Sequence, residues 1–305
     1  MTDLLAPETS MQAVTLHVAD LDLMTRYYRD ALLLHELQAP EELGLTPAEL
    51  AETAVLGRGG RPLVILRRRP GLPRPARGEA GLFHTAVLFD GAPALAAALA
   101  AVATTAPSTF TGSADHLVSE AFYFTDPEGN GVELYHDRPR DTWAWDGGRI
   151  QMDTRYLDPN AFLAQHLTPD ARDLVRTAPE DRPRTPAGAV VGHVHLQVGD
   201  VPSARDFYVG ALGFEETAAM PSALFVSAGG YHHHMAMNTW NSRGAGPRAA
   251  TTLGLATVGI EVPTTEDVAA LRDRLTRAGV ATADDGATLR FDDPWNNHLE
   301  VRATA

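Results

Sequence analysis

The sequence contains no cysteine and no lysine among its 305 residues, so all 25 basic residues are arginines. The absence of cysteine excludes disulfides, thiol nucleophiles and cysteine-ligated zinc or iron–sulfur sites. The absence of lysine excludes Schiff-base chemistry and the phosphate-binding P-loop. Chemistry must therefore come from the 12 histidines, the 39 acidic residues and the few tyrosines.

Long apolar runs, a secretory signal and an excess of positive charge are also missing. No segment approaches the roughly 18 apolar residues of a membrane-spanning helix. The first residues, "MTDLLAPETS", show no basic start followed by an apolar block. The formal net charge of −14 opposes binding to nucleic acid or anionic membranes. We therefore expect a cytoplasmic protein without nucleic-acid or membrane partners. The sequence does not determine the oligomeric state, and a homo-oligomer is possible.

An internal repeat organises the chain. The segment "LHVADLDLMTRYYRDALLL" aligns without a gap with "LQVGDVPSARDFYVGALGF", so Asp20 corresponds to Asp200 and Tyr28 to Tyr208. Each segment predicts a strand, an Asp at a helix start and an amphipathic helix.

A second pair of repeated units follows the first at other offsets. The strands predicted at residues 83–89 and 255–262 each precede a helix, predicted from Ala92 to Ala103 and from Thr265 to Gly279. Each unit closes with a similar hairpin, "YFTDPEGNGVELY" in one and "LRFDDPWNNHLEV" in the other, so Glu133 corresponds to Glu300.

The chain therefore contains four modules, each with a strand, a helix and several further strands. They lie near residues 11–70, 81–137, 190–241 and 252–303. We expect modules one and two in residues 1–138, a connector with short helices in residues 139–188, and modules three and four in residues 189–305.

One carboxylate in these hairpins is unexpected. In "YFTDPEGNGVELYH" the Asp-Pro-Glu-Gly-Asn-Gly segment predicts a turn, and Val132 and Leu134 share one face of the strand that follows. Glu133 lies on the other face. It therefore faces either water or a group that requires a negative charge.

The four modules resemble the vicinal-oxygen-chelate superfamily, and most closely its extradiol ring-cleaving dioxygenases of the catechol 2,3-dioxygenase type. The most specific stretch is "HLVSEAFYFTDPEGNGVE", which matches the extradiol pattern of His, Tyr, Asp-Pro, Gly and Glu. The resemblance implies an α+β fold in which four βαβββ modules pair into two half-barrel cups. It also implies a two-histidine, one-carboxylate site for Fe(II), with Mn(II) as the alternative metal.

The resemblance assigns the metal ligands to the first strands of two paired modules and to one last strand. In modules two and three these positions hold His84, Glu133 and His193. In modules one and four we expect Ala13 and Leu255 at the histidine positions. Pairing in chain order would leave each cup without one histidine. We therefore expect modules two and three to form one complete site, and Glu300 of module four to be vestigial.

The resemblance also implies outer catalytic residues. Tyr123 would bind the substrate hydroxyl, His116 would assist at the pocket mouth, and His233 of "GGYHHHMAMNTW" would be the acid/base. If this segment is one strand, Met235 and Met237 share the face of His233 and line an apolar pocket. The implied substrate is an aromatic diol, with O₂ as co-substrate and a muconic semialdehyde as product. The implied role is aromatic hydrocarbon catabolism.

Three alternatives stay open. A glyoxalase-like lyase or isomerase would need a second glutamate ligand, which the late strand of module three lacks. A non-catalytic small-molecule-binding protein of the resistance kind would not need metal ligands at all. A hydroquinone-cleaving dioxygenase would share the metal ligands and differ in the outer residues.

Overall fold

The computed structural model describes residues 4–178, 181–183 and 187–304. Module one contains β1 (Ser10–Val18), α1 (Leu21–Arg26), β2 (His35–Leu37), α2 (Pro47–Ala51), β3 (Thr53–Arg58) and β4 (Arg61–Arg68). Module two contains β5 (Gly81–Phe89), α3 (Ala92–Thr105), β6 (Phe110–Asp115), β7 (Ser119–Thr125) and β8 (Gly131–Asp137).

The second half of the chain repeats this order after a connector. The connector contains β9 (Trp145–Asp146), β10 (Arg149–Ile150), α4 (Pro159–His166) and α5 (Pro169–Arg176). Module three contains β11 (Ala189–Gln197), α6 (Val201–Arg205), β12 (Glu215–Met220), β13 (Ala223–Ser227) and β14 (Met235–Asn238). Module four contains β15 (Gly254–Val262), α7 (Thr265–Arg277), β16 (Thr282–Asp284), β17 (Thr288–Asp292) and β18 (His298–Ala303).

The repeated aspartates cap their helices. Asp20 and Asp200 accept the backbone N–H groups of Leu23 and Ser203 at 2.9 and 2.8 Å, so each satisfies a donor that the helix leaves free. Both helices then continue for about one π-helical turn, through residues 27–31 and 206–211. Helix α3 runs two residues beyond its expected end, and α7 ends two residues before its own.

Two eight-stranded mixed sheets carry the fold. The inner-module sheet has the order β12-β13-β14-β11-β5-β8-β7-β6 and joins modules two and three. The outer-module sheet has the order β16-β17-β18-β15-β1-β4-β3-β2 and joins modules one and four. The α+β half-barrel architecture expected from the sequence is confirmed. The domain boundaries at residues 138 and 189 stay a prediction.

The connector spans the open side of the inner-module sheet. Arg155 and Asp115 of edge strand β6 exchange two backbone hydrogen bonds of 2.9 Å. At the opposite edge, the guanidinium of Arg149 lies 3.3 Å from the Glu216 carboxylate on β12. Residues 143–157 therefore run from one edge of the sheet to the other, and we call this segment the strap. No helix of the described chain is long and apolar enough to cross a membrane.

Two buried tyrosine–aspartate hydrogen bonds tie the sheets together. Tyr28, which follows α1, donates to Asp126 in the β7–β8 turn at 3.0 Å, and Tyr208, which follows α6, donates to Asp293 in the β17–β18 turn at 2.9 Å. Burial raises the pKa of both carboxyl groups. Each bond links the two sheets, because modules one and two belong to different sheets and so do modules three and four.

We expect Tyr28→Phe to lower the free energy of unfolding by about 1–3 kcal/mol, because it removes a buried donor from a carboxylate. Urea denaturation followed by circular dichroism measures this loss. Tyr208→Phe should behave alike, and Tyr156→Phe, at a residue 83% exposed, should not change the midpoint. An unchanged midpoint for Tyr28→Phe would contradict the role of this bond.

Candidate metal centre and active site

The site lies on the seam where β5 and β11 pair antiparallel. In this register His193 lies opposite Ala86, and His195 lies opposite His84. The register shifts between Val191 and His193, at a β-bulge. Val191 packs in the core. Without the bulge, strict alternation would place His193 on the core face as well, so the extra residue turns this imidazole into the cup.

The residue in this bulge is a glycine for a steric reason. A Cβ built on Gly192 would lie 1.7 Å from the hydroxyl oxygen of Tyr135. Tyr135 is fully buried, its ring packs 4.9 Å from the His193 ring, and its hydroxyl lies 2.7 Å from that of Tyr231. The bulge therefore both turns His193 and leaves room for the aromatic group that supports it.

Glu133 faces inward from β8, where it is the ladder neighbour of Ala86. Its carboxylate is 3% exposed. The Oε2 atom lies 3.0 Å from Nε2 of His84 and 3.2 Å from Nε2 of His193. Possible ligand atoms of the three residues all lie within 4.8 Å of one another. The three side chains that the sequence predicted as ligands are thus brought together.

The geometry of this cluster fits a metal ion better than internal hydrogen bonding. Nε2 of His84 is buried and makes no hydrogen bond of acceptable geometry, although it lies 3.0 Å from the carboxylate. Ligands bound at about 2.1 Å on one face of an octahedron lie about 3 Å apart, and the two distances from the carboxylate to the imidazoles are of this size. Two imidazoles and one carboxylate make a triad of donors that could hold a divalent metal ion.

The charges of the cluster also favour a cation. Burial opposes ionisation of Glu133, but His193 and His84 outweigh it and hold the pKa of this carboxyl well below its usual range. Burial lowers the pKa of His193 to about 4, so this imidazole is neutral at pH 7. A neutral imidazole is the form that binds a metal, and an ionised carboxylate without a cation is costly to bury.

Tyr123 and His116 form one side of the cup. Tyr123 is the cross-strand neighbour of Glu133, and its hydroxyl lies 2.7 Å from Nε2 of His116. Nδ1 of His116 lies 2.8 Å from the backbone carbonyl of Asp153 on the strap. A carbonyl only accepts, so Nδ1 carries the proton and Nε2 accepts from Tyr123. Burial and nearby Glu133 raise the pKa of Tyr123, which keeps it a neutral donor.

His233 lies on the other side, and its ring centroid is 4.1 Å from that of His193. Its Nδ1 atom is 2.7 Å from Nδ1 of His232, whose Nε2 is 3.0 Å from the Asp137 carboxylate. Since Asp137 accepts from Nε2 of His232, Nδ1 of that residue accepts from His233. Nε2 of His233 then holds a free lone pair. Burial lowers the pKa of His233, which favours this neutral form.

A cavity of about 900 Å³ joins these groups. Its lining includes all three triad residues and all three expected outer residues, His116, Tyr123 and His233. His195 also lines it, with Nε2 accepting from the Asn238 amide at 3.0 Å. His234 does not line the cavity. Its side chain is turned toward Ala228, whose backbone N–H donates to Nδ1 at 3.2 Å.

The sequence is 36% identical over 240 residues to a catechol-2,3-dioxygenase of Bacillus subtilis strain 168, a match that covers 77% of this chain and 80% of that protein. A sequence model described as Glyoxalase/Bleomycin resistance protein/Dioxygenase superfamily matches residues 190–301. The chain belongs to this superfamily. The superfamily membership expected from the sequence is therefore confirmed.

Solved structures show the superfamily fold at low sequence identity. Glyoxalase I from Zea mays aligns with a TM-score of 0.56 at 17% identity, over 97% of this chain and 92% of that one. The cppA protein from Streptococcus pneumoniae TIGR4 aligns with a TM-score of 0.57 at 12% identity, over 98% of this chain and 99% of that one. These likenesses support the fold alone.

Among the described residues, the outer-module sheet has no matching group of possible metal ligands. Glu300 is the ladder neighbour of Gly259, as Glu133 is of Ala86, so Thr257 and not Leu255 corresponds to His84. The expectation for Leu255 was wrong because the count along the sequence fell two residues short. Both β5 and β15 have a register shift at this place, so Leu255 corresponds to Leu82, and it packs in the core.

Glu300 is neutralised by arginines. Its carboxylate oxygens lie 3.0 Å from Arg290 and 3.3 Å from Arg302.

The histidine-rich segment also differs from its expectation. Strand β14 begins only at Met235, after the three histidines, so alternation along one strand does not relate them. Met235 and Met237 are fully buried in the hydrophobic core and do not line the cavity. His233 faces the cavity because of the irregular segment before β14.

Sequence reasoning missed the groups that support the expected residues. Asp137 orients His232, the strap carbonyl of Asp153 orients His116, and Tyr135 packs against His193. The role of Asp137 could have been suspected from the sequence, since this acidic residue ends the same strand as Glu133. The role of the strap could not, because any residue type has a backbone carbonyl.

We expect His84→Ala, Glu133→Gln and His193→Ala each to abolish retention of a divalent metal ion, Fe(II) or Mn(II), because each removes one of three candidate ligands. Metal analysis of protein purified and reconstituted without oxygen measures this. Glu300→Gln is the matched control, since Glu300 holds the corresponding position in the other cup, and it should retain the wild-type metal content. Equal loss from Glu300→Gln would contradict the assignment.

We expect Gly192→Ala to destabilise the fold by about 1–3 kcal/mol and to weaken Fe(II) binding, because the new methyl group displaces Tyr135 from His193. Thermal unfolding and metal titration measure the two effects. Gly210→Ala is the control, since nothing lies within 4 Å of a Cβ at that position. If Gly192→Ala binds Fe(II) like the unaltered protein, the bulge does not position His193.

Proposed function

We propose that this protein is a non-haem Fe(II)-dependent extradiol dioxygenase that cleaves a catechol ring with O₂ to a muconic semialdehyde. The observation that carries the proposal is the placement of Tyr123 and His233 on either side of the His84–Glu133–His193 cluster, in one cavity. A metal cluster alone would serve many reactions. The relative of Bacillus subtilis described as a catechol-2,3-dioxygenase supports the same reaction class.

The three ligands would hold the iron. Bound there, Fe(II) would lower the pKa of a chelated catechol hydroxyl and leave coordination positions open for the diol and O₂. Mn(II) would suit the same donor set. The remaining steps belong to the protein's own side chains.

His233 is the proposed acid/base. Its Nε2 lone pair is free, because Nδ1 donates to His232 in the chain that ends at Asp137. Nε2 would accept the proton of a substrate hydroxyl and return it when the ring opens. The His232–Asp137 pair would stabilise the imidazolium formed in between, as a carboxylate does when it orients a catalytic histidine.

Tyr123 and His116 would bind the other side of the diol. The Tyr123 phenol stays protonated and lies beside Glu133, so it would donate a hydrogen bond to a substrate oxygen as negative charge develops there. The phenol has one proton, which it donates to His116 in the substrate-free site and would turn toward the substrate oxygen once the diol binds. His116 is fixed by the strap carbonyl and would hold the phenol oxygen beside the site until then.

The glyoxalase alternative is less well supported. It would need a second carboxylate ligand from the late strand of module three, and residues 232–240 contain none. Among the described lining residues, only Glu133 and Asp153 are acidic. The Asp153 carboxylate accepts instead from Thr154 and Arg155.

We expect protein reconstituted anaerobically with Fe(II) to convert catechol and O₂ to a yellow product. Absorbance in the near-visible range and oxygen uptake measure the reaction together. Oxygen consumption should match product formation, because both oxygen atoms enter the product. The absence of product with every catechol tried would overturn the proposed activity.

We expect His233→Gln to lower kcat by roughly a hundredfold to ten-thousandfold, because it removes the acid/base while the three metal ligands remain. Steady-state kinetics with the iron content of each sample measured separately tests this. The control is His298→Gln, at a half-exposed histidine of the outer-module sheet. If the His233→Gln variant has the kcat of the wild-type protein, His233 is not the acid/base.

A further inference from the structure

We infer that the substrate is an uncharged catechol with a bulky apolar substituent, rather than catechol itself or a carboxylated catechol. The inference rests on the proposed function and specifies the substrate class of the same site. It follows from three features of the cavity: its size, the character of its outer walls, and its lack of a cation.

The cavity is far larger than one aromatic ring requires. Its volume is about 900 Å³. An apolar cavity of about 150 Å³ is sufficient to bind benzene. Sites of about 300–1,000 Å³ are typical for drug-sized ligands. A catechol chelated at Glu133 and its histidines would therefore occupy only a small part of the space.

The outer walls are apolar and come from separate parts of the chain. Met220 and Trp240 are each 49% exposed and mark the mouth, whereas the triad residues at the floor are buried. Phe225 lies between, on β13. The strap supplies Ile150 and Met152. These walls offer an extended contact surface for a substituent on the ring, and each buried methylene should strengthen binding about fourfold.

Charge excludes the acidic alternatives. The described lining contains no arginine, and the chain has no lysine. The acidic side chains of the lining are Glu133 at the floor and Asp153 on the strap. A carboxylate on the substrate would therefore find no cationic side chain in the described lining, which makes its transfer from water into the cavity unfavourable.

Binding of a graded series tests the inference without turnover. Isothermal titration calorimetry under nitrogen would compare catechol, methylcatechol, tert-butylcatechol, phenylcatechol and dihydroxybenzoate with the Fe(II)-loaded protein. Each substituent should be tried next to the diol and one carbon further away. We expect the dissociation constant to fall by at least tenfold from catechol to the better phenylcatechol isomer. Dihydroxybenzoate should bind no better than catechol.

Two variants examine the walls directly. Met220→Arg places a cation at the mouth and should strengthen dihydroxybenzoate binding by about threefold to tenfold while weakening phenylcatechol binding. Leu50→Arg is the matched control, because Leu50 is also 49% exposed but lies on α2, outside the cavity. Ala218→Phe fills part of the cavity and should lower the preference for phenylcatechol over catechol.

The outcomes separate this inference from the proposed activity. A rise in affinity with apolar size supports the inference whether or not the ring opens. A lack of ring opening after oxygen is admitted to the same samples contradicts the dioxygenase assignment alone. Equal affinity for catechol, phenylcatechol and dihydroxybenzoate, or an equal response of Met220→Arg and Leu50→Arg, would overturn the inference.

Discussion

The buried carboxylate of Glu133 sets the main constraint on this structure. An ionised group that is 3% exposed loses most of its hydration, and the effective cost is several kcal/mol unless charge and hydrogen bonds replace the water. The neighbouring His193 is neutral at pH 7, because burial lowers its pKa to about 4. His84 and His193 favour the ionised carboxylate, and a divalent cation held by these three residues would supply the full neutralising charge.

The outer-module sheet meets the same constraint in another way. Its corresponding carboxylate, Glu300, lies beside two arginine side chains, Arg290 and Arg302. The histidine positions of that cup hold Ala13 and Thr257, which offer no imidazole. Arginines neutralise the carboxylate of the outer-module sheet, whereas no arginine of the described chain lines the cavity around the equivalent Glu133. This difference supports the metal assignment for the inner-module sheet, where a bound cation would take the place of the arginines.

Much of this arrangement could be predicted from the sequence, because it rests on local pattern and on correspondence between repeats. The aspartate helix caps, the Asp-Pro turns and the strand–helix order all follow from short-range preferences. The two empty histidine positions indicated which modules pair, since chain-order pairing would leave each cup without a ligand. The sheet order agrees with that reasoning, with β5 and β11 adjacent.

The features that could not be predicted depend on register and on tertiary contacts. The strand ladder places Thr257, two residues beyond Leu255, at the position equivalent to His84. The irregular segment before β14 separated His233 from Met235. A single inserted residue reverses the face of every later side chain, and periodicity alone does not reveal it.

The connector shows why the repeat is an incomplete guide to the site. It belongs to no module, yet its strap closes the open side of the sheet through Arg155 and Arg149. One backbone carbonyl of the strap fixes the tautomer of His116, and Ile150 supplies part of the apolar wall. The modules thus determine where the metal ligands lie, and the connector contributes to what fits beside them. Relatives with the same triad and a different connector should therefore share the chemistry and differ in substrate.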